Sequence, residues 1–336
     1  MKETRELYRS DWSLEKESGV KAGEFAALWG VSLSTHWRWV GGRFKDAVGR
    51  ARRVTKEVRA KILEIDRENR STWDTRSIAS VVGVSHGSVA KVLAEGRGPR
   101  PTRKAPPHTG RTKVLARDVF WSSDFTEVPG KRKLLKTLDE HSRYRPGWDI
   151  CPESAKAVVE HAEGLVRCMG RAPLVWKYDH GSAFTSERFQ AFLRRHWIIG
   201  YLTQRRAPWT NGRTERDNRE IKNWLIPVKD EVSDSELERE VREGMLMLNN
   251  LKPRAVLGYK TSASVYHICS GVEHLDRPAI LRRLKEIKRG LAPLKGERLH
   301  RKAVRELLKQ LGLYEEWEVD GTAESVNRIG QANASI

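Results

Sequence analysis

Glu215 lies in PWTNGRTERDNREIK, residues 208 to 222, where one acid stands among amides and basic side chains. Read as a helix beginning near Asn211, this stretch puts Glu215, Asn218, Arg219 and Lys222 at i, i+3, i+4 and i+7, on one face. A carboxylate and cations sharing a polar face suit a metal ion and a phosphodiester. Upstream, Asp124 sits near the end of a strand-like run, DVFWSSDF, and Asp179 closes another, PLVWKYD. Residues 180 to 214 leave 35 positions between Asp179 and Glu215, a D…D-x35-E arrangement. Any one of these acids alone reads as well as a surface ion-pair partner. The three together, in these contexts, point to a shared site.

WSSDFTEV, LDEHSR, YDHGSAFTS and APWTNGRTERDN follow one another in that order. The series resembles the catalytic core of the retroviral-integrase superfamily, most closely its bacterial insertion-sequence DDE transposases. The resemblance covers roughly residues 115 to 268, and a weaker likeness to the family's helix-turn-helix N-termini covers roughly 20 to 95. Two departures are visible. His180 stands where the family usually has Asn or Gln before the glycine, and Trp209 and Arg213 are individual choices within P-x-x-N-G-x-x-E.

The resemblance implies a ribonuclease H-like α/β core, a mixed five-stranded sheet with flanking helices, preceded by all-α helix-turn-helix domains. It implies a DDE transposase or integrase that binds element-end DNA. Hydrolysis frees a 3′-OH, and that 3′-OH then attacks a target phosphodiester. Such in-line displacement is served by two divalent ions about 4 Å apart. Hard oxygen ligands that leave room for phosphate oxygens suit Mg²⁺, with Mn²⁺ as a substitute. Asp124 would bridge both ions while Asp179 and Glu215 would each hold one. Arg219 and Lys222 are the candidates to hold the DNA backbone or terminal bases, with Asn218 beside them. Two other functions stay open: a catalytically silent DNA-binding regulator of the same fold, and a ribonuclease H-like nuclease that cuts without joining.

Composition bounds the partners. The 336 residues are enough for two or three domains, and 63 Lys+Arg against 44 Asp+Glu give a net charge of +19 and call for a polyanion. Double-stranded DNA, as element end and target, is the expected partner, bound by a homo-oligomer with or without an accessory protein. No segment reaches the ~18 apolar residues of a membrane span, and no apolar stretch follows Met1 as in a secretory signal. The expected address is therefore the cytoplasm of a bacterium, at the nucleoid. Cys151, Cys168 and Cys269 lack the paired spacing of a zinc site or disulfide framework. The 10 histidines form no His-His-Cys-Cys module of the retroviral kind, which favours the bacterial branch.

Along the chain, residues 1 to 50 read as a first helix-turn-helix-like domain. Within it, KAGEFAALWGVSLSTHWRWV reads equally as such a unit or as an ordinary helical hairpin around Gly30, with Phe25, Leu28 and Val31 apolar and Ser32 as a cap. Trp37 and Trp39, two apart, cannot share a helix face. A second helix-turn-helix domain spans 51 to 95: an amphipathic helix (Val58, Ile62, Ile65), then Ala79 and Gly83 before a helix carrying Val89 and Val92. Ser85, His86, Ser88 and Lys91 are left to face a major groove.

Residues 96 to 117 hold four prolines, seven Lys or Arg and no acid, the composition of an extended linker. Its Arg97, Arg100, Arg103 and Lys104 are candidates to track phosphates. The catalytic core is expected over 118 to 270, with strands near 118–125, 132–139, 143–150, 173–178 and 198–203 and helices near 153–168 and 185–196. Asp139, Ser142 and Arg143 read as a side-chain turn between strands. A basic helical region over 271 to 336 carries Ile280, Leu284 and Ile287, then Leu299, Ala303 and Leu307, and ends in a polar, disordered tail. It could serve DNA binding, self-association or a partner protein.

Overall fold

The computed structural model describes residues 2–31, 33–40, 54–97, 110–204 and 212–318. The chain divides into two compact units, Met1–Arg53 and Val54–Ile336. In the first, α1 (Lys2–Glu17), α2 (Ala22–Leu28) and α3 (Leu33–Val40) close around Tyr8, Trp12 and Phe25. His36 is buried among these rings, and its Nδ1 lies 2.8 Å from the Tyr8 hydroxyl. Gly30 turns the chain with φ +64, a conformation that spares only a residue without Cβ. Trp39 packs on the cluster and Trp37 is exposed, as two positions on opposite helix faces must be. Leu28 is exposed despite its apolar side chain, and Ser32 lies outside the described residues.

The second unit opens with α4 (Lys56–Glu68), α5 (Thr75–Val82) and α6 (His86–Arg97). Thr55 caps α4, accepting from the Val58 amide, and Asp74 caps α5 through the Arg76 and Ser77 amides. Gly83 ends α5 at φ +75, and α5 meets α6 at 114°.

The sheet follows, in the order β4-β3-β2-β5-β6. Its strands are β2 (Phe120–Val128), β3 (Arg132–Asp139), β4 (Gly147–Ile150), β5 (Val175–Tyr178) and β6 (Ile199–Leu202). β2, β3 and β4 pair antiparallel, and β5 and β6 join parallel to β2. This is the mixed five-stranded sheet the sequence leads one to expect. Asp139 makes the anticipated turn, its Oδ1 accepting the Ser142 amide at 2.8 Å and hydroxyl at 2.6 Å.

Both faces of the sheet are covered. α7 (Ala155–Met169), the short α8 (Ser182–Thr185) and α9 (Glu187–Arg195) bury Trp121, Leu135, Trp176 and Phe189 on one side. On the other, α10 (Gly212–Leu225) and α11 (Asp234–Leu246) cover Val128 and Leu134. After α12 (Ser262–Ile268), α13 (Arg277–Gly290) and α14 (Gly296–Gln310) cover Phe120, Val175 and Ile199. β7 (Tyr314–Glu318) then pairs antiparallel with β1 (Gly110–Val114).

Three boundaries differ from the sequence reading. Residues 54 to 97 have no core of their own: Ile62, Trp73, Ile78 and Val89 share one cluster with Ile221, Trp224, Val241 and Met247 of the sheet's helical cover. The Arg70 guanidinium lies 4.3 Å from the Trp224 ring centroid and its Nη2 reaches Glu240 at 2.7 Å. The end of the expected linker is strand β1, with Val114 buried, because β7 supplies its missing ladder partner. The C-terminal helices are likewise part of the unit, through Ile280, Leu284, Val304 and Leu307. The expected disordered tail lies almost wholly outside the described residues.

α10 and α11 approach closely at Gly244, where a Cβ would stand 2.6 Å from Trp224 Cδ1 and 2.8 Å from Ile221 Cδ1. Alanine favours a helix over glycine by roughly 1 kcal/mol, but overpacking costs ~1–3. Gly244→Ala should therefore lower the midpoint of thermal unfolding; a rise would mean the two helices can part freely.

Candidate active site

β2 alternates its side chains, so Trp121, Ser123 and Phe125 enter the core beneath α7 to α9 while Ser122 and Asp124 face α10. Lys136 is the register partner of Asp124 on β3 and shares its face. α10 lies over both. Asn218 Nδ2 donates to Asp124 Oδ2 at 2.7 Å, and Asp217 pairs with the buried Lys136 ammonium.

The opposite stripe of α10 is tied down by charge. Asp217 also pairs with the Arg145 guanidinium. Glu220 takes Arg145 at 3.0 Å, Lys252 at 3.2 Å and Arg254 at 2.8 Å. Burial would raise both carboxyls, yet the facing cations outweigh it: Arg145 and Lys136 hold Asp217 below the ordinary range, and Arg254, Lys252 and Arg145 hold Glu220 well below it. With that stripe and Ile221 turned inward, Glu215, Asn218, Arg219 and Lys222 line an open groove with Phe125, Thr126, Glu127 and Asn223. The helical face read from the sequence is therefore one wall of a real concavity.

Asp179 follows the carboxyl end of β5, two residues beyond Lys177. Its Oδ1 accepts the Gly181 amide at 2.9 Å. A Cβ on Gly181 would lie 3.0 Å from that oxygen and 3.6 Å from Glu153 Oε1, so the glycine admits a close approach and a second carboxylate stands nearby. Nothing in its sequence setting marks Glu153 as a neighbour of Asp179. His180 is anchored, its Nε2 2.9 Å from the Thr203 carbonyl.

Asp124 is pushed up to about 6, chiefly by burial; the Asn218 hydrogen bond opposes this and the charge of Asp179 adds to it. The two aspartates thus sense one another. Beside them, Asn218 Oδ1 is a buried acceptor without a hydrogen-bond partner among the described residues, the kind of atom a cation would satisfy. The donor chemistry of Asp124 and Asp179 fits a hard divalent ion. Glu215 is exposed, however, and among the described residues no three His, Cys, Asp or Glu side chains are gathered closely enough to hold a metal. Of the α10 side chains, Asn218 hydrogen-bonds Asp124, while Glu215 lines the groove beside it.

The other expected DNA contacts lie apart from this groove. His86 and Lys91 are exposed on α6. Ser85 caps that helix, its Oγ accepting the Ser88 amide at 3.1 Å and meeting the Ser88 hydroxyl at 2.9 Å, so both hydroxyls are already engaged. Arg100, Arg103 and Lys104 and the side chain of Arg97 lie outside the described residues.

Comparison with known proteins finds likeness in the middle of the chain. Residues 116–208 match the integrase core domain model, a span that includes Asp124 and Asp179 and stops before Glu215. Over 132 residues, 38% of the chain, it is 30% identical to the Pol-related polyprotein of the mouse intracisternal A-particle MIA14, of which it covers 15%. The chain spans 14% to 28% of the curated relatives it matches. The trimeric form of the HTLV-2 integrase catalytic core domain in complex with magnesium matches 46% of the chain and all of its own length, at 22% identity and TM-score 0.39. The simian T-cell lymphotropic virus intasome in complex with PP2A regulatory subunit B56 gamma matches 61% of the chain and 74% of its own, at 17% identity and TM-score 0.42. Residues 116–208 thus resemble an integrase core domain, the five-stranded sheet with its flanking helices has the ribonuclease H-like fold of such cores, and retroviral Pol proteins are among the sequences the chain resembles.

The raised Asp124 carboxyl has a consequence for stability. A carboxyl whose folded pKa, about 6, exceeds its unfolded value destabilises the fold above pH 6, and the penalty fades as pH falls toward 4 and the group takes up its proton. Full expression of that shift corresponds to roughly 3 kcal/mol. Asp124→Asn should therefore raise thermal stability in chelator, most at pH 8 and least near pH 4. Equal melting of the two proteins across this range would place Asp124 in a solvated, unstrained site.

Proposed function

We propose that the chain is a DNA transposase or integrase, a polynucleotidyl transferase that frees a 3′-OH at an element end and joins it to target DNA. The observation that supports this best is the buried Asp124, sensing Asp179 and held by Asn218, inside the segment that matches an integrase core domain. In this reading Asp124, Asp179 and Glu215 are the acids that would hold Mg²⁺, or Mn²⁺ in its place, as two ions. Bound there, the ions would activate the attacking hydroxyl and neutralise the phosphate.

The chain's own residues do the rest. Asp124, ionised above about pH 6, offers its carboxylate beside Asn218 of the groove wall, and Asn218 fixes which way it points. Arg219 and Lys222 on the groove wall meet the DNA backbone. Helix α6, set at 114° to α5 and presenting exposed His86 and Lys91, is the element that enters a major groove. The basic segment with Arg97, Arg100, Arg103 and Lys104 tracks phosphates. We assign the chain to a bacterial insertion sequence, on the motif series WSSDFTEV, LDEHSR, YDHGSAFTS and APWTNGRTERDN. It would act on the nucleoid in the cytoplasm, as a homo-oligomer on DNA and with an accessory protein if one is needed. The functional segments on this reading are 1–50, 51–95, the arm 96–117, the core 118–270 and the basic region 271–336, of which those from Val54 on share one compact unit.

Asp124→Asn, Asp179→Asn and Glu215→Gln should each reduce metal-dependent cleavage and strand transfer by about a thousandfold or more while leaving DNA affinity nearly unchanged. Labelled-strand transfer assays in Mg²⁺ and filter binding would measure the two separately. Joining by any of these variants at the parental rate removes that residue from the site.

Deletion of residues 1–53 should weaken discrimination between element ends and random DNA and leave a folded core. Deletion of 1–95 should instead precipitate the protein, because it bares Ile221, Trp224 and Val241. A soluble, cooperatively melting 96–336 fragment would contradict the shared core.

A further inference from the structure

Arg213, the second residue of α10, reaches away from the groove. Its Nη1 donates to the buried Glu140 at 2.5 Å. Its Nη2 donates to the Thr112 carbonyl and, at 3.0 Å, to the Thr112 hydroxyl on β1. Glu140 also accepts from Lys177 of β5 at 2.8 Å and from Ser122 of β2 at 2.6 Å. One carboxylate thereby joins β2 beside Asp124, β5 two residues before Asp179, and the first turn of the helix that bears Glu215. β1 exists as a strand through its pairing with β7, so the C-terminal strand is part of the same connection.

The first four amides of a helix have no intrahelical acceptor, and a helix frays from there unless side chains fix it. Asp217 and Glu220 fix the middle and the rear of α10. Among the described contacts, the first turn is fixed by Arg213. We infer that Glu140 and Arg213 are positioning residues that, with β1 and β7, latch the first turn of α10 and so set where Glu215 stands relative to Asp124 and Asp179. The inference rests on reading Glu215 as an acid of the reaction, while the latch itself is a statement about the fold.

Hydrogen exchange of the full-length protein tests the latch independently of any activity. In Arg213→Gln, exchange of the Arg216 to Arg219 amides, the first with intrahelical acceptors, should accelerate by about tenfold or more, with Ile221 to Leu225 unchanged. Arg254→Gln, which loosens Glu220 farther along, is the comparison: it should lower thermal stability without that local acceleration. Nicking of supercoiled plasmid in Mn²⁺ by Arg213→Gln should fall about tenfold at saturating DNA, with the DNA dissociation constant within about twofold. Arg213→Lys, which can still reach Glu140, should recover part of both. Glu140→Gln should act in the same direction; if loss of the buried Glu140 charge prevents folding, the Arg213 variants decide. Unchanged first-turn exchange in Arg213→Gln overturns the latch, as does acceleration spread evenly over α10. Absence of nicking by the parental protein would instead overturn the transferase reading and leave the exchange result standing.

Discussion

A lysine and a carboxylate leave water only in each other's company. Lys136 and Asp217 are both nearly inaccessible, and Arg145 closes on the same carboxylate from β4's approach. Taking one member away from such a set costs ~3–5 kcal/mol, a large part of the 5–15 kcal/mol by which a domain is stable. Apolar packing alone would let a helix rotate by a few tens of degrees over a sheet at small cost. Charges that must meet named partners do not allow it. With Asp217 on Lys136 and Glu220 on Arg254 and Lys252, the face bearing Glu215, Asn218, Arg219 and Lys222 has only one direction in which to point.

That ionic stripe is also what the sequence hides. The alternation in FWSSDFTEV and the apolar run VWKY announce strands, and the i, i+3, i+4, i+7 spacing announces the groove face of α10. These signals are local, arising from period-two and period-3.6 geometry within one segment. Lys136, Arg145 and Lys177, by contrast, look like solvent-facing residues in any window, since charged side chains are rarely buried without partners and the partners lie 81, 72 and 37 positions away. The same holds for β1: RTKV in a proline-rich basic stretch has no strand signal until Tyr314–Glu318 supplies the other half of the ladder. Helices 54 to 97 were legible as helices, from Ile62, Ile65, Val89 and Val92, but the surface they pack on was not.

Asp124 shows the opposite bias. Asp217, Glu220 and Glu140 are held ionised by cations that more than compensate for burial, whereas Asp124 is pushed up to about 6 because burial and Asp179 outweigh Asn218 and Lys136. Lys136 could have relieved it, being its register partner, yet its ammonium turns to Asp217. A fold that spends its buried cation on the scaffold leaves Asp124 with an uncompensated burial penalty that a bound cation would relieve. Perturbed groups of this kind mark functional positions more often than structural ones.

The docking of residues 54 to 97 carries the same logic outward. Trp73 donates to Met247 at 3.1 Å, Ser77 to the Pro253 carbonyl at 2.7 Å, and Arg70 stacks on Trp224 while its Nη1 donates to the Trp224 carbonyl at 3.0 Å. Trp224 is at the rear of α10, directly after Asn223 of the groove wall, and Lys252 and Arg254, which flank Pro253, are among the cations that hold Glu220. A helical module resting on these residues is joined to the groove through one rigid helix rather than through a flexible linker. Movement of α5 and α6 relative to the sheet would have to open an apolar cluster and expose Trp224. On the proposed reading, DNA engaged by α6 would therefore be held in a fixed relation to the groove wall of α10, because α6 and Trp224 share one apolar cluster.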